Sequence, residues 1–233
     1  MSNIISIDRS IIVACDVEKD RFEEIIRKTY NIPQVGGYKI GATLALPVGL
    51  LSIVQIARRY TSKPLIYDHQ KAGTDIPDTG KAFMVMLKKC GIDAVIVFPL
   101  SGPATQAAWI QSAQDVSLPV IVGGYMTHER FIVSEGGYID DSAIEKIYSN
   151  AAFQGIVDYV VPGNKPDVIR QIRDVLTFNK MEPVFYAPGF ISQGGSISQA
   201  AYAAGPRWHA IVGRAIYEAN DIRKATLSLT TNL

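Results

Sequence analysis

Eight short apolar, β-rich runs alternate with helical patterns along the chain, and no other feature limits its fold as strongly. The runs are Ile11–Cys15, Gly37–Ile40, Leu65–Tyr67, Ala94–Phe98, Val120–Gly123, Tyr159–Val161, Val184–Tyr186 and Ala210–Val212. Their apolar character is continuous rather than alternating, as expected of parallel strands covered on both faces. Between them, Glu18–Tyr30 places Phe22, Ile25, Ile26 and Tyr30 at helical spacing. Thr79–Cys90 does the same with Phe83, Met86, Leu87 and Cys90, and Pro166–Phe178 with Val168, Ile169, Ile172, Val175 and Leu176. Gly91 and Gly205 stand where helix C-caps are expected. Eight such units predict an α/β chain folded as one (β/α)8 TIM barrel domain over residues 1–233. An open doubly wound sheet is the alternative, but no Gly-x-Gly-x-x-Gly follows the first strand. The longest irregular stretch, Thr127–Asp140, is a candidate lid or binding loop.

Composition narrows the class of partner. A chain of 233 residues suits a barrel, and 48% hydrophobic with 19% charged residues supplies a sizeable core. Lys+Arg 23 against Asp+Glu 22 gives a net charge of +1, with no basic block. Nucleic acid and anionic membrane are therefore not expected partners. No apolar run approaches the roughly 18–20 residues of a membrane span, and the first ten residues carry Asp8 and Arg9. Cys15 and Cys90 both lie in apolar segments, which predicts buried free thiols and a reducing, cytoplasmic compartment.

In a barrel, reactive groups collect where strands end and loops begin. Those positions hold Asp16 after strand 1, Lys39 at the end of strand 2, and Asp68, Lys71 and Asp75 after strand 3. Thr127 follows strand 5, Pro188-Gly189 and Gln193-Gly194-Gly195 follow strand 7, and Gly213-Arg214 follows strand 8. Two carboxylates and an ammonium within eight residues have no structural need to share one strand end, which points to chemistry. Pro77 is expected to open the helix that follows. The loops after strands 7 and 8 suit an anion: glycines admit close backbone N–H groups, Gln193 is a neutral donor and Arg214 a bidentate cation. They also admit a plainer reading as turn residues and a helix cap. Asp16 and Lys39 end adjacent strands with opposite charge, as either a rim salt bridge or a pair that binds sugar hydroxyls. His69, His128 and His209 lack metal-ligand spacing and read as ordinary polar residues, so no metal site is expected. No Gly-x-Ser-x-Gly elbow is present.

Several segments, in order, resemble the orotidine 5'-phosphate decarboxylase family. They are Ala14-Cys15-Asp16, Lys39-Ile40-Gly41, Asp75-Ile76-Pro77-Asp78-Thr79, Ala187-Pro188-Gly189 with Gln193-Gly194-Gly195, and Val212-Gly213-Arg214-Ala215-Ile216-Tyr217. The likeness extends across nearly the whole chain. It implies a (β/α)8 barrel that converts orotidine monophosphate to UMP without metal or organic cofactor. It also implies roles for individual residues. Asp68 would face the departing carboxylate, Lys71 would protonate C6, and Lys39 and Asp75 would hold these charges in place. Thr127 would meet the pyrimidine edge, although an ordinary turn residue would suit that position too. Asp75 and Thr79 would reach the neighbouring subunit's site, which implies a homodimer.

The chain departs from the family pattern at its hallmark, Asp-x-Lys-x-x-Asp. Here the spacing is Asp68-x-x-Lys71-x-x-x-Asp75, one residue longer in each interval. Residues three apart on a regular strand face opposite ways, so Asp68 and Lys71 can meet only if the chain bulges or has already turned. Otherwise His69 or Gln70 would enter the site. Two alternatives stand beside the decarboxylase. One is a Mg2+-dependent sugar-phosphate decarboxylase or aldolase of the same barrel group, against which Ile76-Pro77-Asp78-Thr79 argues. The other is a nucleotide-binding protein whose altered spacing has disabled the chemistry.

Overall fold

Why the eight runs form a barrel is visible in which of their residues face which way. In a computed structural model that describes residues 4–69, 75–178, 180–189 and 197–233, the strands are β1 (Arg9–Cys15), β2 (Val35–Ile40), β3 (Leu65–Asp68) and β4 (Ala94–Val97). They continue with β5 (Val120–Gly123), β6 (Asp158–Val160), β7 (Val184–Ala187) and β8 (Trp208–Val212). All neighbours are parallel, and β8 pairs back onto β1, closing the barrel in the order β1 to β8. Both faces are apolar, so the runs look continuous, yet alternate residues enter different cores. Ile12, Ala14, Ile66, Ala94, Ile96, Ile121, Val160, Val184, Tyr186 and Ile211 fill the barrel interior. Ile11, Val13, Cys15, Tyr38, Leu65, Tyr67, Val95, Val122 and Phe185 pack outward against the helices.

The helices are α1 (Lys19–Thr29), α2 (Ala42–Val48), α3 (Leu50–Arg58), α4 (Thr79–Lys89) and α5 (Pro103–Asp115). After them come α6 (Asp141–Phe153), α7 (Pro166–Phe178), α8 (Ile197–Ala204), α9 (Arg214–Tyr217) and α10 (Ile222–Thr230). In α1, Phe22, Ile25 and Ile26 are fully buried, and each such side chain contributes about 1.5–3 kcal/mol by leaving water. Pro47 near the end of α2 and Gly49, at φ 81°, separate it from α3. Gly91 and Gly205 both take positive φ, as helix-terminating glycines do.

Four expectations need correction. Helix α4 begins at Thr79 rather than Pro77, which lies in the preceding turn. Strand 3 runs through Asp68, so this carboxylate belongs to the strand and not to its loop. Cys15 is buried, but Cys90 is only half-buried near the end of α4. Residues 127–140 are less irregular than they read: they contain a 3-10 turn at Val133–Glu135 and a parallel bridge between Ile132 and Ile139. That stretch is tied to the barrel by Glu135, whose carboxylate accepts hydrogen bonds from Lys165 and from the Tyr125 hydroxyl, both at 2.7 Å.

At the barrel's other end the interior is polar. The Ser10 hydroxyl meets His209 Nδ1 at 2.8 Å, and the Tyr186 hydroxyl donates to Asp158 at 3.0 Å. Burial pushes His209 down to about 3, with the Arg207 charge adding to the effect, so the ring is neutral at pH 7. No helix among the described residues is long and apolar enough to cross a membrane.

Candidate active site

The inward parity of three adjacent strands assembles the floor of the site. Asp16 continues the inward series Ile12–Ala14 of β1, Lys39 is paired with Ala14 across β2, and Asp68 follows inward Ile66 on β3. Lys39 Nζ consequently lies 2.8 Å from Asp68 Oδ2 and 3.2 Å from Asp16 Oδ2. The Asp68 side chain is 3% exposed and that of Lys39 9%, whereas Asp16 reaches solvent at 32%. Burial alone would lower the Lys39 ammonium, but the Asp68 and Asp16 charges and their hydrogen bonds more than offset it and leave its pKa raised. Burying ions costs several kcal/mol each, and a hydrophobic trio would suit the core better, so the arrangement is not a stability device. Gly41, the N-cap of α2, lies beside the floor: a Cβ there would overlap Asp16 Oδ1, so a larger residue would displace that carboxylate.

These three residues open into a cavity of about 580 Å³ at the C-terminal ends of the strands. One wall is apolar, built by Ile96, Phe98, Met126 and Val160, with Tyr125, Thr127 and His128 above it. The opposite rim is formed by Pro188, Gly189, Gly213, Arg214 and Tyr217. Arg214 is exposed as the first residue of α9, and Tyr217 is half-buried, its carbonyl receiving two hydrogen bonds from Arg21. An elongated ligand with an apolar ring at one end and an anion at the other fits this division. The floor between them would receive polar groups.

Of the residues singled out from the sequence, the cavity brings together Asp16, Lys39, Asp68, Thr127, Pro188, Gly189, Gly213 and Arg214. Lys71, Gln193, Gly194 and Gly195 lie outside the described residues. Asp75 and Thr79 do not line the cavity of their own chain. Asp75 is exposed and its carboxylate accepts from the Ile76 N–H, while the Thr79 hydroxyl donates to the Ile76 carbonyl. Strand β3 ends at Asp68, so the described residues do not show how the Asp68–Lys71 spacing is accommodated. His69 does not enter the cavity: its ring turns outward onto Phe83, with centroids 4.1 Å apart.

Sequence reasoning passed over Phe98, Tyr125, Met126 and Tyr217, and read the cavity-lining His128 as an ordinary polar residue. Phe98 carries a readable signal, being two residues beyond inward Ile96. Tyr217 closes a segment whose Gly213-Arg214 was singled out. No group of three or more His, Cys, Asp or Glu side chains placed to hold a metal ion occurs among the described residues.

The family model described as "Orotidine 5'-phosphate decarboxylase / HUMPS family" matches residues 9–229. Proteins named orotidine 5'-phosphate decarboxylase from Methanosarcina mazei and Methanosarcina barkeri are 31% and 32% identical over 224 residues, each spanning 96% of this chain and 94% of the relative. Among solved structures, orotidine 5'-monophosphate decarboxylase from Methanocaldococcus jannaschii, complexed with the inhibitor BMP, superposes with a TM-score of 0.84 at 23% identity. That match covers 97% of this chain and 99% of the other. The Pyrococcus horikoshii enzyme structure gives 0.76 at 24% identity, covering 95% and 98%. At these identities the structural likeness speaks for the barrel.

Proposed function

The chain belongs to the orotidine 5'-phosphate decarboxylase / HUMPS family, and from that premise we infer that it removes CO2 from orotidine 5'-monophosphate to give UMP. The observation that carries this reading is the buried Lys39–Asp68 pair, joined by half-buried Asp16, on the floor of a cavity with an apolar wall and a cationic rim. The pyrimidine fits against Phe98, Met126 and Thr127, the ribose over Asp16 and Lys39, and the phosphate at Gly213 and Arg214. Gln193 and Gly194 belong to the same phosphate loop in this reading.

Asp68 would lie against the substrate carboxylate and Lys71 would supply the proton. The C6–carboxylate bond breaks, CO2 departs, and the electron pair remains on C6. The Lys71 ammonium stabilises that charge and transfers a proton to it, then recovers one from water. Lys39 anchors Asp68 from beneath, and Asp75 flanks Lys71. Contacts to phosphate and ribose, remote from C6, supply binding energy realised in the transition state. No cofactor enters this scheme. The test is loss of orotidine monophosphate absorbance with a metal chelator present. Activity that disappears on chelation would favour the Mg2+-dependent members of the barrel group.

Arg214→Ala should weaken UMP binding by about 1.5–3 kcal/mol, the range for a charge-assisted hydrogen bond, and affect the nucleoside without its phosphate far less. Equal losses for both ligands in a titration would move Arg214 out of the phosphate site.

The active species in this reading is a cytoplasmic homodimer. Asp75 and Thr79 match the residues that the family pattern places in a neighbouring subunit's site and do not line the cavity of their own chain, and the free thiols Cys15 and Cys90 suit a reducing compartment. Mixing Lys71→Ala with Asp75→Ala should regenerate activity, because the mixed dimer holds one site free of both lesions. Recovery failing despite demonstrated subunit exchange would return Asp75 to its own subunit's site.

A further inference from the structure

The strand end that carries Asp68 is longer than its family's pattern up to Asp75, and the structure shows what holds each end of that span. At the leading end, His69 donates its backbone N–H to the Ile96 carbonyl at 3.0 Å, extending the β3–β4 pairing by one residue. Its ring lies outside the barrel among aromatic side chains: Phe83 of α4 at 4.1 Å, Tyr67 at 5.4 Å and Trp109 of α5 at 6.0 Å between centroids. His69 Nδ1 also meets the Tyr67 hydroxyl at 3.4 Å. Consecutive residues leaving a strand point to opposite sides, so a ring held outward at 69 fixes the Asp68 carboxylate inward.

The trailing end rests on the same block. Trp109 Nε1 donates to the Ile76 carbonyl at 3.1 Å, and the Thr105 and Ser101 hydroxyls donate to the Asp75 carbonyl at 2.9 and 3.2 Å. Trp109 and Thr105 are buried, and Trp109 stacks on Phe83 at 5.3 Å. Gly80 admits this packing, since a Cβ there would come within 2.7 Å of the Trp109 ring. One aromatic unit spanning α4 and α5 thus receives residue 69 on one side and residues 75 and 76 on the other. None of His69, Phe83, Trp109 or Thr105 lines the cavity.

We propose that His69 and Trp109 are positioning residues for the reaction, an aromatic clamp that holds the Asp68 carboxylate inward at the end of β3 and fixes the turn at Asp75 and Ile76. The inference rests on the decarboxylase reading above. A clamp of this kind acts on geometry at the reacting carbon and not on affinity, because the phosphate and ribose contacts lie on other loops. Misplacing a catalytic group by about 1 Å costs on the order of 100-fold in rate, which sets the size of the expected effect.

The experiment measures kcat, KM, UMP affinity and thermal midpoint for the wild type, His69→Ala, His69→Phe and Trp109→Phe. His69→Ala should lower kcat about 100-fold with KM and UMP affinity held within about threefold. His69→Phe keeps a flat ring in the stack and should recover most of that loss. Trp109→Phe keeps the packing but removes the donor to Ile76, and should lower kcat with UMP affinity retained. The proposal is overturned if kcat is unchanged in His69→Ala and Trp109→Phe. It is equally overturned if UMP affinity and thermal midpoint fall in step with kcat, or if His69→Phe fails to restore what His69→Ala loses. A wild type that binds UMP yet leaves orotidine monophosphate intact would instead sink the decarboxylase reading itself, and the clamp with it.

Discussion

Lys71→Ala should lower kcat for orotidine monophosphate by about 10³-fold or more while UMP still binds. Proton transfer from a positioned side chain contributes roughly 10²–10⁴-fold, and in the proposed scheme the same ammonium also offsets charge on C6. The floor of the cavity already holds Asp16 and Asp68 with one ammonium, Lys39, between them. Lys39 is committed to both carboxylates, at 2.8 Å from Asp68 and 3.2 Å from Asp16. The proposed scheme assigns the proton to a second cation, Lys71, which lies between Asp68 and Asp75 in sequence. In the proposed binding mode the phosphate and ribose contacts are made elsewhere, so single-turnover rates and UMP titrations should separate cleanly. A variant that keeps kcat within about tenfold, or loses UMP affinity in parallel, would remove Lys71 from this role.

Lys39→Met should have the largest effect on stability. It keeps the stem but removes the ammonium lying 2.8 Å from the buried Asp68 carboxylate. Breaking a buried ion pair on one side typically costs about 3–5 kcal/mol, because the remaining charge stays desolvated. Lys39→Met combined with Asp68→Asn should regain much of that loss, which a double-mutant cycle in denaturant would measure. Turnover should be absent in both. A single-variant loss below about 1 kcal/mol would mean that Asp68 is satisfied without Lys39, as an exposed pair would be.

Local periodicity explains how much of this was readable. Strand parity needs only residues two apart, so the inward series that places Asp16, Lys39 and Asp68 on one floor is implicit in the order of the β-rich runs. Segments with helical spacing, such as Phe22, Ile25 and Ile26, were equally local. The ordered turn at Val133–Glu135 was not legible, because it depends on Glu135 meeting Lys165, thirty residues away in the chain. The outward stack of His69 depends on Phe83 and Trp109, which only the packing of α4 against α5 brings to it. Taken alone, His69 is one polar residue beside a carboxylate. Asp75 and Thr79 were recognised by their motif, but their side chains are engaged in the turn at Ile76 and do not line the cavity of their own chain, which spacing alone does not show.

The measurement that bears most directly on the account follows orotidine monophosphate by NMR with the wild-type chain in D2O and a metal chelator. The account predicts UMP carrying deuterium at C6, with CO2 released in equal amount, and no such product from Lys71→Ala under the same conditions. Unchanged substrate, or UMP formed only when Mg2+ is restored, would contradict it.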